Sequence, residues 1–539
     1  MINSFSSKKI GGEEGMTQNE YKLKCEIEKL KKENKELKNK NKDLEIQKKT
    51  YCNKLKIQSE QFEQLSKENK TKENKELKRK YNIAQKEITK LNKIIANKES
   101  VIQALTARIN KNSSNSSKPS STDGYKKVIH NCREKTGKKV GGQKNHKGVT
   151  LEKKKPTQII EQKVEKCECG GNVENDNNYK SKQIIDIEIK VNVIEERVYE
   201  GKCKKCGKIH KGTFSKEFKN PAQYGNNLKA FISMLVNEEY VAIDRCSEFI
   251  KEITGDEIKI SNGSIVNISK ELSRKSVESV NKIAENLIEA PLVHADETGV
   301  RINGVQNWLH TVCNKDYVYY GVNEKRGKEA IDDMEILKFF TGILMHDHFK
   351  PYYKFEQITH AECNAHILRY LKSVIEVFHR KETEEFLEFL IGINKRKKEA
   401  IEGGKSCFED SEIEEIENQY KEILERWKSA YNEYVKGVAT INNPLTEERC
   451  LFERLLEYQD QHLLFIRNFE VPFDNNMAER ALRMIKTKKN VSGGFRSKDV
   501  AECFCNIRSL FGSAKKQKMN ILKVAKDVLD GNLVEFALA

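Results

Sequence analysis

Three acidic residues stand in stretches that can hold a carboxylate on rigid backbone. Asp296 follows the apolar run of "LVHADETGVRI" (292–302), Asp347 closes "GILMHDH" (342–348), and Glu479 lies in the helical pattern "NNMAERALRMIKTKK" (475–489). Two aspartates at strand ends and a glutamate on a helix suit hard divalent cations, which prefer carboxylate oxygen. Two such ions about 4 Å apart stabilise both the attacking and the leaving oxygen of a phosphoryl transfer. Arg480, Arg483, Lys486 and Lys489 share the glutamate's helix and are placed to hold a phosphodiester. Taken singly, each acid has an ordinary reading. Aspartates at strand ends are common turn formers. Glu479 on a solvated face would pair with Arg483 one turn on.

A second set of residues suits zinc. "CECGG" supplies Cys167 and Cys169, and "CKKCGKIHKG" supplies Cys203 and Cys206. The C-x-x-C pair with its following glycine has the form of a zinc knuckle, so a structural zinc ion on four thiolates is the expectation. The first pair is C-x-C, one residue short, and the alternative is four unrelated thiols.

The elements that must position these groups can be read from periodicity. "PLVHADETGVRI", "QNWLHTVCN" and "DYVYYGVNE" read as three successive strands, "KEAIDDMEILKFF" as a helix, and "GILMHDH" as a fourth strand ending at Asp347. Three antiparallel strands, a crossover helix and another strand match the opening of the ribonuclease-H-like fold. Residues 365–440 are helical and charged. Residues 216–290 read as helix, glycine-containing turn and helix, a pattern that suits either major-groove docking or a plain connector. Between the cysteine pairs, "KQIIDIEIKVNVIEERVYEGKC" alternates as strands do.

Residues 17–111 read as one long helix with a heptad seam. The seam runs through Leu77, Tyr81, Ala84, Ile88, Leu91, Ile95, Lys98, Ile102, Leu105 and Ile109, and upstream through Leu23, Leu30, Leu37 and Leu44. Asn34 and Asn41 take the other core position, where asparagine fixes register and favours dimers. The stretch 66–76 has no seam and is a weak joint. A self-associating coiled coil is expected, against a solvated single helix. "NSSNSSKPSSTDG" (112–124) follows as a polar hinge. Then comes a lysine-rich segment that cannot bury a core, with Lys138, Lys139, Lys144 and Lys147 as candidate phosphate contacts.

Of the 539 residues, 33% are charged, and the formal net charge is +17. Such a balance points to a polyanion, nucleic acid first. No run is apolar enough to span a bilayer, and no secretion signal opens the chain. Fourteen scattered cysteines then read as reduced thiols. The lysine-, asparagine- and isoleucine-rich composition resembles that of AT-rich bacterial genomes; the missing secretion signal and the basic charge lead to the expectation of a cytoplasmic, nucleoid-associated bacterial protein.

Several motifs in order resemble the transposases of the insertion-sequence 66 family, of the TnpC type. They are the hinge with "GGQKNHKG", "CECGG…CKKCG", "HADETGVRINGVQNWLHTVCN", "GILMHDHFKPYYKF…HAECNAHILRYL" and "NNMAERALRMIKTKKNVSGG". The resemblance implies a ribonuclease-H-like DDE domain with Asp296, Asp347 and Glu479 as the triad holding Mg²⁺ or Mn²⁺. It also implies a helical insertion between Asp347 and Glu479. Cys363 and His366 match the family's C-x-x-H element. That element would order the insertion or the active site; the plainer reading is a buried cysteine and a capped histidine, and no zinc site is assigned to it.

The expected organisation is a disordered tail (1–16), coiled coil (17–111), basic linker or DNA-binding arm (112–159) and zinc-binding domain (160–215). A helical segment (216–290), the catalytic domain (291–515, helical insertion about 365–460) and a C-terminal helical tail (516–539) complete it. The implied activity is metal-dependent DNA cleavage and strand transfer. The implied partners are transposon ends and target DNA, a second copy through the coiled coil, and accessory proteins of the element. The alternatives are an inactive DNA-binding regulator descended from such an enzyme, and a coiled-coil scaffold.

Overall fold

The computed structural model describes residues 18–67, 71–110, 151–175, 179–438 and 446–536. Most of the basic arm lies outside them, including Lys138, Lys139, Lys144 and Lys147. The chain divides into two compact units. The larger comprises the described parts of 1–124, 225–242 and 266–539, and the smaller those of 125–224 and 243–265.

The larger unit opens with α1 (Gln18–Lys67) and α2 (Thr71–Asn110). The expected single helix is therefore two, and the break falls in the seamless stretch 66–76. The helices pack antiparallel: Asn34, early in α1, donates its side-chain amide to Thr106 Oγ1, late in α2, at 3.2 Å. Leu55, Leu91, Ile95 and Leu105 are buried. Leu91, Ile95 and Leu105 of the seam thus face inward, but they face the same chain, and Tyr81 of the seam is exposed. A helix carrying an apolar stripe must cover it, and doubling back brings the nearest cover at no cost in association entropy. Leu91→Pro should break α2 and its packing, at about 3 kcal/mol or more. Far-ultraviolet dichroism of the full chain should lose helix; an unchanged spectrum would remove the hairpin.

In the smaller unit, β1 (Glu200–Lys202) and β2 (Ile209–Lys211) form an antiparallel hairpin around the Cys203–Cys206 turn. The strands expected over 182–199 are not formed. Ile184, Ile187 and Val193 are 95%, 86% and 86% exposed. Alternation marks a face fit for burial, yet a strand also needs a neighbour for its backbone, and the described residues supply none here.

The larger unit continues with α3 (Asn226–Asn237). The smaller contains α4 (Ile243–Ile253), and α5 (Asn262–Ile288) runs from it into the larger. Then β3 (Leu292–Ile302), β4 (Val305–Cys313) and β5 (Val318–Asn323) form an antiparallel meander. The crossover helix is shorter than its sequence pattern: α6 spans only Lys328–Asp332, and Ile336, Leu337 and Phe340 are buried from irregular backbone. β6 (Ile343–His346) returns parallel to β3, and β7 (Thr359–Glu362) lies parallel to β6. The sheet order is β5-β4-β3-β6-β7.

Helices cover both faces of this sheet. On one, Val293, Ala295, Val312 and Leu344 pack with Ile283 and Leu287 of α5. On the other, Val300, Ile302, Leu309 and Tyr320 pack with α12 (Asn476–Ser492) and α13 (Lys498–Lys516). Between β7 and α12 in sequence come α7 (Asn364–Phe378), α8 (Lys381–Glu402), α9 (Asp410–Val438), α10 (Thr446–Glu457) and α11 (Gln459–Arg467). These five share an aromatic-rich core around Trp427, Tyr420 and Phe386. The C-terminal stretch is not an appendage: α14 (Ile521–Asp530) buries Val524, Ala525, Val528 and Leu529 against α3, α5 and α13.

Candidate active site

Strand register brings the two aspartates together. β3 pairs with β6 as Leu292↔Ile343, Val293↔Leu344 and His294↔Met345. Continued by two residues, the register sets Asp296 opposite Asp347, which immediately follows β6. Asp296 is not at the end of its strand, as expected from sequence, because β3 runs on to Ile302 paired with β4. It sits where the parallel neighbour stops, and that opens the sheet at this point.

Side chains alternate along a strand. His294, Asp296, Val300 and Ile302 therefore face α12, while Val293, Ala295 and Glu297 face the α5 side. α12 packs on β3 and carries Glu479 in its first turn. One buried residue, Asn475, fixes that docking. Its Nδ2 donates to Ala295 O at 2.8 Å, its Oδ1 accepts from His294 Nδ1 at 2.9 Å, and its backbone N–H reaches Cys363 Sγ at 3.1 Å. Asparagine ahead of a helix usually caps it. Here the side chain caps nothing and bonds the sheet instead, so sequence alone gave no signal of this role.

Burial, then Glu297 and Asp347, hold Asp296 well above the usual carboxylate range, with Glu479 contributing. Asp347 is pushed up to about 6, by burial first and Glu297 second. Its Oδ1 accepts the backbone N–H of Phe349 at 3.0 Å. A carboxyl whose folded pKa is raised holds its proton more tightly folded than unfolded. The stability it contributes is present below its ordinary value, near 4, and is lost as pH rises to about 6. Thermal melts in chelator should therefore fall between pH 4 and 6, beyond the background of Asp347→Asn. A divalent cation should restore stability at pH 7. Equal slopes in the two proteins would refute this.

Glu297, next to Asp296, has a different task. Its Oε1 accepts from Arg326 Nε and Nη2 at 3.0 and 2.7 Å, and its Oε2 from Tyr352 Oη at 2.8 Å. The guanidinium is sandwiched between Trp308 and Phe349, 4.7 and 4.2 Å from the ring centroids. A second buried carboxylate, Glu362 at the end of β7, is bound by His348, Tyr353 and Arg454, and by His462 at 2.8 Å. Burial alone would raise its pKa. The His348 and His462 bonds and the Arg454 charge overcome that and hold it far below the usual range. Arg454 comes from α10 and His462 from α11, so the helical insertion is tied to the sheet beside Asp347. Alternation along β3 was enough to separate Glu297 from Asp296, but nothing in the sequence pointed to Arg454 or His462.

Glu479 turns inward. Its Oε1 lies 3.9 Å from His366 Nδ1 and its Oε2 3.9 Å from Arg369 Nη2. Cys363, at the start of α7, is fully buried, and its thiol is pushed up to about 12 by burial. Burial lowers His366 to about 4. Arg480, Arg483, Lys486 and Lys489 are exposed along α12. The cysteine pairs are each formed: backbone amides of Lys205 and Cys206 and the thiol of Cys206 lower the Cys203 pKa, and Gly171 N–H with the Cys167 thiol lowers that of Cys169. The structure does not bring the four sulfurs into one cluster of ligand spacing. Among the described residues, the metal-type cluster is Cys363, His366 and Glu479.

A mixed sheet carrying a pair of partly buried aspartates beside a helix-borne glutamate defines a mixed α/β, mostly helical protein with an acidic centre. The model of the transposase IS66 family matches residues 221–503, more than half of the chain, and the chain belongs to that family. Residues 70–152 match a family of unknown function (DUF6444). No curated protein matches the chain. Among the described residues, no helix is long and apolar enough to cross a membrane.

Proposed function

We propose that this protein is a DDE-type transposase that hydrolyses a phosphodiester at the ends of its element, after which the freed 3′-hydroxyl attacks a target phosphodiester, joining the element's 3′ end to the target's 5′ phosphate and releasing a target 3′-hydroxyl. The observation that carries the reading is the register-aligned pair Asp296 and Asp347, with Glu479 added by α12. Sheet order supports it too: a meander continued by parallel strands on the side of its first strand is the ribonuclease-H-like arrangement. The residues fit a divalent cation. Glu297 and Glu362 each have a cation of their own, Arg326 and Arg454, whereas Asp296 and Asp347 make no ion pair among the described residues. Buried carboxylates left without a counter-charge are what a hard cation offsets. Asp296, Asp347 and Glu479 would hold Mg²⁺ or Mn²⁺. The ions would supply charge neutralisation at phosphorus and a nucleophile at neutral pH.

The chain's own residues set the rest. Asn475 holds Glu479 against β3. The exposed Arg480, Arg483, Lys486 and Lys489 bind the DNA backbone, and Lys138, Lys139, Lys144 and Lys147 of the arm add phosphate contacts. Two transposon ends call for two chains. The α1/α2 seam is filled within one chain, so pairing would use another surface, and sedimentation of full-length protein with end DNA tests it. Zinc on the two cysteine pairs remains part of the proposal. Cys203→Ser with Cys206→Ser should lower bound zinc by one equivalent, and zinc-free wild-type protein would end it. The deciding experiment incubates purified protein with DNA carrying the element's ends and Mg²⁺ or Mn²⁺. Metal-dependent nicking at the ends supports the enzyme. Tight binding without any cutting favours the inactive, DNA-binding descendant.

A further inference from the structure

We propose that Cys363, His366 and Glu479 form a binding site for one borderline divalent cation of the zinc class, separate in chemistry from the Asp296–Asp347 pair. The Cys363 Sγ, a His366 ring nitrogen and a Glu479 carboxylate oxygen all lie within 4.8 Å of one another. Ligands around a tetrahedral zinc ion stand roughly 3.5 Å apart, so contraction of up to about 1.3 Å closes the shell.

Four observations converge. His366 Nδ1 is buried, has no hydrogen-bond partner, and lies 3.9 Å from Glu479 Oε1. A buried ring nitrogen without a partner is costly, and a bound cation satisfies it. Cys363 sits directly ahead of α7, with His366 in the first turn, so one helix start presents both ligands. The Asn475 N–H already points at Sγ at 3.1 Å, as backbone amides do around metal-bound sulfur. The charges also balance, since a thiolate and a carboxylate neutralise a divalent ion. Sulfur, imidazole and one carboxylate oxygen together select a borderline ion over Mg²⁺, which takes oxygen. The Glu479 side chain is 19% exposed, so water can reach the carboxylate.

Such an ion would join α7 to α12 through the glutamate itself. It would fix one Glu479 oxygen, leaving the other, 3.9 Å from Arg369 Nη2, to serve the Asp296–Asp347 centre, and so set the angle at which α12 presents its carboxylate to β3. The experiment contains no DNA, so it stands or falls independently of the cleavage reading. Full-length protein is stripped with a chelator and titrated with Co²⁺, which reports thiolate ligation by a sulfur-to-cobalt charge-transfer band. Wild type should bind one more equivalent than Cys363→Ser, and the band should be correspondingly stronger. The four knuckle cysteines are common to both proteins and cancel. His366→Gln should keep a sulfur band but weaken that equivalent by about tenfold or more. Zn²⁺ should displace this cobalt, and Mg²⁺ at the same concentration should not. Should Cys363→Ser fail to fold, judged by its metal-free melt, His366→Gln carries the test alone. Stoichiometry, spectrum and affinity identical to wild type in whichever variant folds would overturn the site.

Discussion

Asp296→Asn should leave DNA binding largely intact, lower strand cleavage by about a thousandfold or more, and yet make the metal-free protein more stable. The first effect follows from the proposed role. Asparagine keeps the shape but not the charge that holds the cation, and loss of about 4 kcal/mol of transition-state stabilisation is a thousandfold in rate. The second follows from electrostatics already in place. Asp296 is buried among Glu297, Asp347 and Glu479, and all three raise its proton affinity. Removing one buried carboxylate from such a group relieves repulsion that only a bound cation would otherwise offset. In a unit of this size a gain of about 1 kcal/mol would appear as roughly 1 °C in Tm in chelator. The adjacent Glu297→Gln should do the opposite, because it strips the counter-charge from Arg326, which is clamped between Trp308 and Phe349. Opposite signs at neighbouring residues are a demanding outcome. If Asp296→Asn cleaves at the wild-type rate, it leaves the triad. If it melts lower than wild type in chelator, the account of the repulsive cluster is wrong.

The largest loss of stability should come from Arg454→Ala. Glu362 is fully buried at the side chain, and Arg454 is its only arginine or lysine partner among the described residues. Breaking a buried pair from one side leaves an uncompensated charge and costs about 3–5 kcal/mol. Two histidines remain beside Glu362, His348 and His462, and burial lowers the pKa of His462. The Arg454 charge adds to that lowering, so its removal lets His462 take a proton more readily beside the carboxylate, and the destabilisation should be smaller at pH 5 than at pH 8. Pairing the change with Glu362→Leu removes both charges and should restore most of the loss. Denaturant unfolding of the four proteins of this cycle measures the coupling. A single variant as stable as wild type would show that the insertion is not anchored through this pair.

Much of the larger unit was open to a reading of residue order. The three strands of the meander form where the sequence reading put them, with largely continuous burial because helices cover both faces, and the fourth strand ends one residue before Asp347. The stripe on 77–109 marks the face of α2 that is buried. The weak joint at 66–76 is where α1 ends and α2 begins, because no apolar residue there has anything to gain from continuing. Two readings failed for a common reason. Alternation over 182–199 and the long pattern at 328–340 describe surfaces that could be covered, but a pattern does not say that a partner exists. In the first stretch no neighbouring strand is present. In the second, tertiary packing buried Ile336, Leu337 and Phe340 without a helix.

The sequence by itself determined which residues carry charge, which faces want burial, where helices must stop, and, through its ordered motifs, the transposase family. Only the tertiary structure decided who meets whom. The seam of α2 meets α1 of the same chain, since a short connection makes an internal partner more concentrated than any second copy. Asp296 meets Asp347 because parallel register aligns residues far apart in the chain, and pairing register is a long-range choice that local pattern constrains only by face. Glu479 meets His366 and Arg369, not Arg483 one turn away, because Asn475 locks the start of α12 to β3 and so points the glutamate inward.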